Sequence, residues 1–157
     1  MTSDKILSKE KALPLVNEWK KNGKVVFTNG CFDILHLGHV DYLEKARNLG
    51  DKLVLGLNTD KSISRIKGPD RPITDQNSRA RVIAALAFVD AVILFDEETP
   101  YDLISYLKPD ILVKGDDYSL SDIVGADVVI NNGGTVKTVS LVKGYSTSNI
   151  ISKIKNQ

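Results

Sequence analysis

Short apolar segments alternate with segments of helical periodicity along this chain, and the links between them are only a few residues long. The apolar segments are the candidate strands, at 24–28, 52–58, 90–95, 110–115, 126–130 and 135–140. Most are apolar throughout, which is typical of strands covered on both faces. Strand, helix, strand units with short links imply parallel strands joined by right-handed crossovers. The sequence therefore predicts an α/β fold, a Rossmann-like, doubly wound, mainly parallel sheet with helices on both faces.

The candidate helices begin and end at recognisable residues. A leading helix over 8–22 has Ser8 as its N-cap and Gly23 after its last residue. Pro14 interrupts that pattern, because a proline inside a helix removes a backbone hydrogen bond, so we expect the helix to begin close to it. Further helices are predicted at 38–49, 74–88 (capped by Thr74 or Asp75), 101–108 (after Thr99 and Pro100) and 146–155 (capped by Ser146). We expect one domain over 1–157, with a leading helix in 1–23 and a core in 24–157.

Composition excludes several classes of protein. Cys31 is the single cysteine, so no disulfide can form within the chain, and with no leader segment we expect a cytoplasmic location. No apolar run approaches the roughly 18 residues that a membrane helix needs, so no membrane partner is expected. The 21 basic and 20 acidic residues give a net charge of +1, which disfavours a partner bound by broad phosphate neutralisation, such as a nucleic acid.

Both histidines of the chain lie in one short segment, HLGH, between the first long strand and the helix that follows it. In a parallel sheet this position is the carboxyl edge, where helix N-termini attract anions. Gly38 allows a phosphate to approach the backbone, and His36 and His39 can donate to phosphoryl oxygens. Half of a metal site and a polar surface patch are alternatives. A zinc site lacks further ligands, so any metal would be a hard cation such as Mg²⁺.

The stretch TNGCFDILHLGH, at 28–39, resembles the opening of the cytidylyltransferase-like nucleotidyltransferases, in which the HxGH motif binds a nucleoside triphosphate. The later segments RIKGPDRPI, SRARVIAALAFVD, PDILVKGDDY, IVGADVV, NNGGTV and KGYSTSNII resemble, within that superfamily, the heptose 1-phosphate adenylyltransferase family. The resemblance runs from about residue 24 to the C-terminus. Since that family is often fused behind a sugar kinase, this chain resembles the free-standing form.

The resemblance implies transfer of AMP from ATP to D-glycero-D-manno-heptose 1-phosphate, with release of pyrophosphate. The product, ADP-heptose, would serve synthesis of the lipopolysaccharide core or a related surface polysaccharide. It also implies Mg²⁺ bound with ATP and a homodimer or higher homo-oligomer. No covalent enzyme intermediate is needed, because an in-line displacement at phosphorus depends mainly on positioning and charge stabilisation.

Lys67 and Arg71 lie in the segment KGPDRP, whose glycine and prolines predict a loop at the mouth of the site. The resemblance makes Lys67 a catalytic candidate beside the two histidines, able to neutralise the triphosphate or the sugar phosphate. Arg71 is a second candidate for the substrate phosphate. A solvent-exposed surface lysine is the alternative for Lys67.

Arg79 and Arg81 are two residues apart on one predicted helix and therefore point in different directions. Arg79 matches the family's phosphate-contacting arginine, eleven residues before Asp90. We expect Arg79 to contact the nucleotide and Arg81 to face solvent.

The segment GYSTS precedes the last predicted helix, where hydroxyl and backbone N–H groups can bind triphosphate oxygens. The resemblance assigns nucleotide binding to Gly144, Ser146, Thr147 and Ser148, although N-capping alone explains Ser146. An arginine that follows this motif elsewhere in the superfamily is absent here, and Lys153 is its only counterpart.

Two further groups complete the predicted nucleotide site. Lys114, Gly115, Asp116 and Asp117 end a strand at the same sheet edge, and Gly115 and Asp116 are the candidates for contact with the base, the ribose or a metal-bound phosphate. The two carboxylates can instead form a turn or cap a helix.

The loop after the first long strand supplies the second group. Cys31 and Phe32 are expected under the nucleotide, with a small apolar filler as the alternative for Cys31. Asp33 is expected to fix the loop that carries HLGH.

Two other functions stay open from the sequence. One is a cytidylyltransferase acting on glycerol 3-phosphate, or a related enzyme such as a pantetheine-phosphate adenylyltransferase. The other is a regulatory module that binds a nucleotide without turnover. The presence of both histidines, the lysine segment and the hydroxyl motif argues against the module.

Overall fold

A single six-stranded sheet forms the centre of the computed structural model, which describes residues 1–157. The strands are β1 (Ile6–Leu7), β2 (Val25–Gly30), β3 (Lys52–Asn58), β4 (Ala91–Phe95), β5 (Ile111–Gly115) and β6 (Thr135–Val139). They lie in the order β1-β4-β3-β2-β5-β6, and every pairing is parallel. The predicted doubly wound parallel sheet is confirmed.

The structure has seven helices, of which the first six lie between strands and the last follows β6: α1 (Lys9–Asn22), α2 (Leu37–Arg47), α3 (Asp60–Lys67), α4 (Gln76–Ala84), α5 (Tyr101–Leu107), α6 (Ala126–Asn131) and α7 (Thr147–Lys155). Single 3₁₀ turns lie at Thr2–Lys5 and Leu120–Asp122. Side chains of Ser8, Asp75 and Ser146 accept backbone N–H bonds in the first turns of α1, α4 and α7. These three predicted caps are therefore confirmed.

Successive residues of the central strands face opposite sides of the sheet, and each side has its own apolar core. On one side Val26 and Leu55 pack with Leu43 of α2 and Ile83 of α4. On the other side, the core contains Ala12 and Val16 of α1, Val25 and Phe27 of β2, Leu103, Ile104 and Leu107 of α5, and Val129 of α6. Both faces of the sheet are thus covered by helices.

The chain reverses its direction of travel across the sheet beside β2. Strands β3 and β4 follow β2 on one side, whereas β5 and β6 lie on the other. In open parallel sheets, ligands bind in the crevice outside the carboxyl ends of the strands at such a switch point. The fold therefore places a binding crevice between the ends of β2 and β5.

The segment 126–130 was predicted as a strand, and this prediction is wrong, because the structure has the helix α6 there. β5 and β6 are parallel neighbours, so the chain between them must cross back over the sheet, and a tight turn cannot do this. Gly125, with a φ of 86°, precedes the helix, and Val129 is buried beneath it.

Three smaller differences concern local structure. Helix α1 begins at Lys9 and continues through Pro14 instead of beginning near it. Pro14 is on the solvent face, where the carbonyl of Glu10 that loses its donor can be hydrated. β1 and α3 were not predicted. Lys67 was expected in a loop, but it is the last residue of α3, and the loop begins at Gly68.

No helix of the structure has the length and apolar character needed to cross a bilayer.

Candidate active site

A cavity of about 620 Å³ opens at the carboxyl edge of the sheet, at the switch point. Its walls come from the segments that follow β2, β3, β4, β5 and β6. Of the residues predicted to form the site, those that line it are Cys31, Phe32, His36, Gly38, His39, Lys67, Arg71, Gly115, Ser146, Thr147 and Ser148. The volume is within the range of small-molecule sites, roughly 300 to 1,000 Å³.

His36 and His39 lie face to face at the start of α2. His36 is the N-cap of this helix, and the two imidazole rings stack with their centroids 3.8 Å apart and their planes 20° apart. Phe32 packs edge-on against His39 at 5.1 Å. The Nδ1 atoms of both histidines are buried and have no hydrogen-bond partner within the protein. Buried polar atoms are normally satisfied, so these two nitrogens leave hydrogen-bonding capacity unused beside the cavity.

Burial governs the charge of the histidine pair. It lowers the pKa of His36 below the ordinary 6.5. It also lowers the pKa of His39, to about 4, and the positive charges of His36 and Lys67 act in the same direction, while Asp33 opposes them. Both rings are therefore neutral at neutral pH in the free protein, and each has one N–H to donate.

Gly38 lies where this turn is tightly packed. A Cβ at this position would lie 3.1 Å from ring atoms of His36 and 3.2 Å from the Cβ of Tyr145. The backbone N–H groups of Leu37 and Gly38 have no acceptor within the protein, as expected in the first turn of a helix. The turn thus presents unpaired N–H groups and two imidazoles together, which suits an anion.

Lys67 and Arg71 border the cavity on the β3 side. Lys67 is exposed, and the structure gives it no hydrogen bond or ion pair. Arg71 donates through Nε to Asp33 at 3.1 Å, whereas its Nη2 is buried and unpaired. Two cationic groups with free donors therefore lie on this wall.

The N-terminus of α7 forms the opposite wall. The Ser146 hydroxyl caps α7 by accepting the N–H of Asn149, whereas the N–H groups of Thr147 and Ser148 have no acceptor within the protein. The Thr147 hydroxyl donates to the carbonyl of Asp33 at 2.6 Å and so has no hydrogen left for a ligand. The backbone, rather than the Thr147 hydroxyl, is available to bind phosphate here.

Gly144 and Lys153 lie beside the main cavity and not within it. Both border a second groove, which meets the cavity at His36, Tyr145 and Ser146. Gly144 has a φ of 86°, a left-handed conformation that favours glycine. Lys153 is thus close to the anion-binding turn of α7, on the same helix.

At the end of β5, the cavity wall differs from the prediction in one residue. Asp117 lines the cavity, whereas Asp116, the residue predicted there, is exposed and does not. Lys114, placed in this group from the sequence but not chosen as a candidate, also lines it, with its ammonium 5.4 Å from the ring centre of Tyr118. Burial lowers the pKa of Lys114 to about 8, although Asp117 and Cys31 oppose the shift.

Arg79 was predicted to contact the nucleotide, but it does not line the cavity. It is only 2% exposed, and its guanidinium donates to the carbonyls of Cys31, Asn58 and Thr74 and to the carboxylate of Asp60. These contacts fix the ends of β2 and β3 and the first turn of α3. The structure therefore gives Arg79 a scaffold role. Arg81 faces solvent, as expected.

Asp33 is the second buried charged residue. It is 1% exposed, and its carboxylate accepts bonds from Arg71 Nε, from the N–H groups of Ile73 and Thr74, and from the Thr74 hydroxyl. Burial acts to raise its pKa, but these four bonds outweigh it and lower the pKa. Asp33 therefore fixes the loop that contains Arg71 as well as its own.

Several cavity residues were not identified from the sequence. They are Asn29, Asn58, Glu98, Thr99, Pro100 and Tyr145. All lie at the carboxyl end of a strand or in the segment that follows one. Because the carboxyl ends of parallel strands meet at one edge of the sheet, a search for residues at the end of every strand, and not mainly of the first long strand, could have found them.

Comparison with known proteins places this fold and site in a family. Residues 27–153 match the cytidylyltransferase-like family. The chain is 55% identical over 97% of its length to "Bifunctional protein HldE" of Methylobacillus flagellatus. It is 56% identical over 99% of its length to the protein of the same name from Magnetococcus marinus. It spans only 31% and 32% of these two relatives.

Among solved structures, the chain resembles the lipopolysaccharide core biosynthesis protein from Thermoplasma volcanium. The TM-score is 0.62 at 38% identity, covering 80% of this chain and all of the other. The chain belongs to the cytidylyltransferase-like family of nucleotidyltransferases. The superfamily resemblance drawn from HLGH and the segments around it is confirmed.

Proposed function

We propose that this protein transfers AMP from ATP to D-glycero-D-manno-heptose 1-phosphate. An oxygen of the sugar phosphate attacks the α-phosphorus of ATP, the bond from that phosphorus to the bridging oxygen of the β-phosphate breaks, and pyrophosphate leaves. The product is ADP-heptose. Its use in lipopolysaccharide core or related polysaccharide synthesis belongs to the same proposal.

The stacked histidine pair is the observation that carries the proposal. Its rings lie between two anion-binding walls of one cavity, with buried nitrogens that lack partners. The attacking oxygen of one phosphate group must approach the phosphorus of the other opposite its leaving group, so hydrogen-bond donors are needed near that phosphorus to position both. Donors at that point stabilise the charge that develops on the phosphoryl oxygens.

The two walls suit different substrates. The α7 wall offers the free N–H groups of Thr147 and Ser148 and the aromatic side chain of Tyr145, which suits a nucleoside triphosphate. The β3 wall offers Lys67 and Arg71, which suits the phosphate of a small acceptor. We assign ATP to the first wall and the sugar 1-phosphate to the second.

The histidines act as hydrogen-bond donors in this proposal. Their lowered pKa values keep them neutral, so neither places a fixed positive charge beside Lys67. Neither has to accept a proton, because the attacking phosphate oxygen is already ionised. Lys67 is assigned to neutralising charge as the two substrates approach.

The choice of substrate rests on similarity. The relatives named HldE match nearly the whole chain at 55% and 56% identity, and the Thermoplasma protein is described as acting in lipopolysaccharide core biosynthesis. The segments KGPDRP and NNGGTV support the heptose phosphate over glycerol 3-phosphate and phosphopantetheine.

Mg²⁺ is proposed to enter with ATP. The structure contains no group of three or more His, Cys, Asp or Glu side chains able to hold a metal, and the Asp33 carboxylate is already occupied by four donors. The residues present fit a cation held by triphosphate oxygens, with Asp117 on the cavity wall as a carboxylate near it. When bound, the cation would offset phosphate charge.

The remaining parts of the proposal concern the setting. We propose a cytoplasmic location, which suits a chain with one cysteine and ATP as substrate. We also propose that the chain is a single domain that assembles as a homodimer or a higher oligomer, and size-exclusion chromatography with light scattering tests the assembly.

The test is pyrophosphate release by the purified protein with Mg²⁺. ATP and CTP are each paired with heptose 1-phosphate, glycerol 3-phosphate and phosphopantetheine. Release with ATP and the heptose alone supports the proposal. Release with CTP and glycerol 3-phosphate contradicts the assigned substrates. No release from any pair, with ATP bound, favours a nucleotide-binding module.

A further inference from the structure

Asp33 joins two parts of the cavity wall that lie far apart in the chain. We call residues 68–75, which contain Arg71, the acceptor loop, and residues 146–148 the nucleotide turn. The Asp33 carboxylate accepts four hydrogen bonds from the acceptor loop, between 2.8 and 3.1 Å. Its carbonyl accepts the Thr147 hydroxyl of the nucleotide turn at 2.6 Å.

The backbone around Asp33 is unusual. Its neighbours Phe32 and Ile34 both have positive φ, 46° and 52°. For a β-branched residue such as Ile34 this conformation is an outlier, and residues of this kind persist only where the surroundings hold them. The five hydrogen bonds at Asp33 supply such restraint, so this loop depends on contacts from both sides.

Helix α7 depends on few contacts in return. None of its residues is buried, and Ile154 is 64% exposed. The Thr147 hydroxyl is the only side chain of α7 that bonds to another segment of the chain. This bond therefore connects the first turn of α7 directly to Asp33.

We propose that Asp33 is a positioning residue that couples the nucleotide turn to the acceptor loop. A nucleotide that orders the N-terminus of α7 strengthens the restraint on the Asp33 carbonyl. The carboxylate of the same residue then holds Arg71, Ile73 and Thr74 more firmly. Binding of one substrate thus orders the wall that receives the other, and this assignment of the walls rests on the proposed function.

The coupling needs no large movement. A ligand that makes one segment rigid lowers the entropic cost of ordering a second segment connected to it. Typical coupling between sites is about 5- to 150-fold in affinity. The N–H groups of Ile73 and Thr74 donate directly to Asp33 and so report on the connection.

The test is amide hydrogen exchange by NMR, with and without a saturating ATP analogue that cannot be cleaved between the α- and β-phosphates. In the natural protein the analogue should slow exchange at Ile73 and Thr74 by about fivefold or more. In Thr147→Val, which lacks the hydroxyl but contacts neither amide, this slowing should fall below about twofold. Thr147→Ser keeps the hydroxyl and should restore it.

A second variant tests the other side of Asp33. Thr74→Val removes one bond to the carboxylate, and Thr74 does not line the cavity. We expect it to bind the analogue as the natural protein does, but to show a smaller effect of the analogue at Ile73. Thr74→Val is a milder change than Asp33→Asn, because Asp33 itself stays in place and the fold is preserved.

Three results would overturn the coupling. The first is that the analogue binds but leaves exchange at Ile73 and Thr74 unchanged. The second is that the analogue slows exchange equally in Thr147→Val and Thr147→Ser. Loss of all analogue binding in Thr147→Val would mean that this hydroxyl contacts the nucleotide directly. Pyrophosphate release is measured separately: slowed exchange without any release supports the coupling and removes the proposed function.

Discussion

Two sets of buried polar groups lie within one small region and differ in a single respect. Arg79 and Asp33 are charged, almost fully buried, and satisfied by other parts of the protein. Nδ1 of His36 and of His39, together with Nη2 of Arg71, are buried without a partner. The first set fixes the loops, although Asp33 also lies on the cavity wall, whereas the second set belongs to cavity residues and has no partner within the protein.

Whether a buried polar group has a hydrogen-bond partner within the protein distinguishes the groups that hold the fold together from the groups proposed to bind substrates. A buried charge that loses a partner costs several kcal/mol, so a satisfied network is a requirement of the fold. An unpaired buried polar atom destabilises the free protein, and a ligand that bonds to it removes that cost. Substitutions in the first set should therefore lower stability, and substitutions in the second should lower activity.

The largest effect is expected at His39. His39→Ala should lower kcat/KM for pyrophosphate release by about 10³-fold, because a donor to the developing phosphoryl charge is lost. The melting temperature should fall only modestly, since the ring loses its packing against His36 and Phe32 but its Nδ1 has no partner within the protein to lose. Steady-state kinetics and thermal melts of the same samples check this. A variant with near-normal kcat/KM would remove the assigned role of His39.

Arg79 and Arg81 provide the matched test of the scaffold. Arg79→Met leaves the carbonyls of Cys31 and Asn58 without their buried donor. The free energy of unfolding should fall by about 3 kcal/mol, and the melting temperature by about 6 to 12 °C. Arg81→Met, on the exposed face of the same helix, should change the unfolding free energy by less than about 0.5 kcal/mol.

Urea denaturation of both variants measures these differences. A phosphate-binding role for Arg79, as the sequence predicted, would give the opposite pattern. The KM for ATP would then rise strongly while the stability of Arg79→Met matched that of Arg81→Met.

Lys67 and Lys61 provide a matched pair for the acceptor wall. Both are on α3 and exposed, but only Lys67 lines the cavity. Lys67→Ala should raise the KM for the sugar phosphate by about tenfold, or about 1.4 kcal/mol, with a smaller effect on the KM for ATP. Lys61→Ala should leave both unchanged. A larger rise in the KM for ATP than in the KM for the sugar phosphate would mean that the two substrates were assigned to the wrong walls.

The smallest effect concerns pH. The pKa of His39 is about 4 in the folded protein against 6.5 for the ordinary group, so the folded state disfavours its protonation. The stability due to neutral His39 is present above pH 6.5 and is lost as the pH falls toward 4. Between pH 7 and 5, the unfolding free energy should fall about 1 kcal/mol more in the natural protein than in His39→Gln.

Denaturation at several pH values measures this difference, and NMR titration of the His39 ring measures its pKa directly. Bound ATP analogue should raise that pKa, because a negative phosphate favours the protonated ring. Equal pH dependence of stability in the two proteins would show that His39 is not desolvated in the free state.

The regular elements show where sequence patterns succeed. The strands over 52–58 and 110–115 were predicted from apolar runs, and the caps Ser8, Asp75 and Ser146 from their local chemistry. These signals are local, because a cap or a buried strand depends on a few adjacent residues. The strand prediction for 126–130 was wrong because the same valines fit a strand or a buried helix. Only the parallel pairing of β5 with β6 decides between the two.

The candidate site shows the same division at the level of single side chains. HLGH, KGPDRP and GYSTS were recognised from their residues, and the structure brings His36, Lys67 and Ser148 into one cavity. The choice of Asp116 over Asp117 failed, because adjacent residues after a strand point in different directions and the turn selects one of them. The resemblance led to Arg79 being selected as a phosphate ligand, although its guanidinium is used by the nearby carbonyl of Thr74 and by the carbonyls of Cys31 and Asn58, which are distant in sequence.

The sequence by itself predicted the parallel α/β architecture and a candidate site at the carboxyl edge of the sheet, because both depend on local patterns of apolar, glycine and histidine residues, whereas the nucleotidyltransferase class came from the resemblance of its motifs to a family. Only the tertiary structure decided which buried polar groups are satisfied and which remain free. Asp33, for example, meets Arg71, Thr74 and Thr147 only in the folded chain. Hydrogen-bond satisfaction depends on partners far apart in sequence, and their positions are set by the packing of the whole fold.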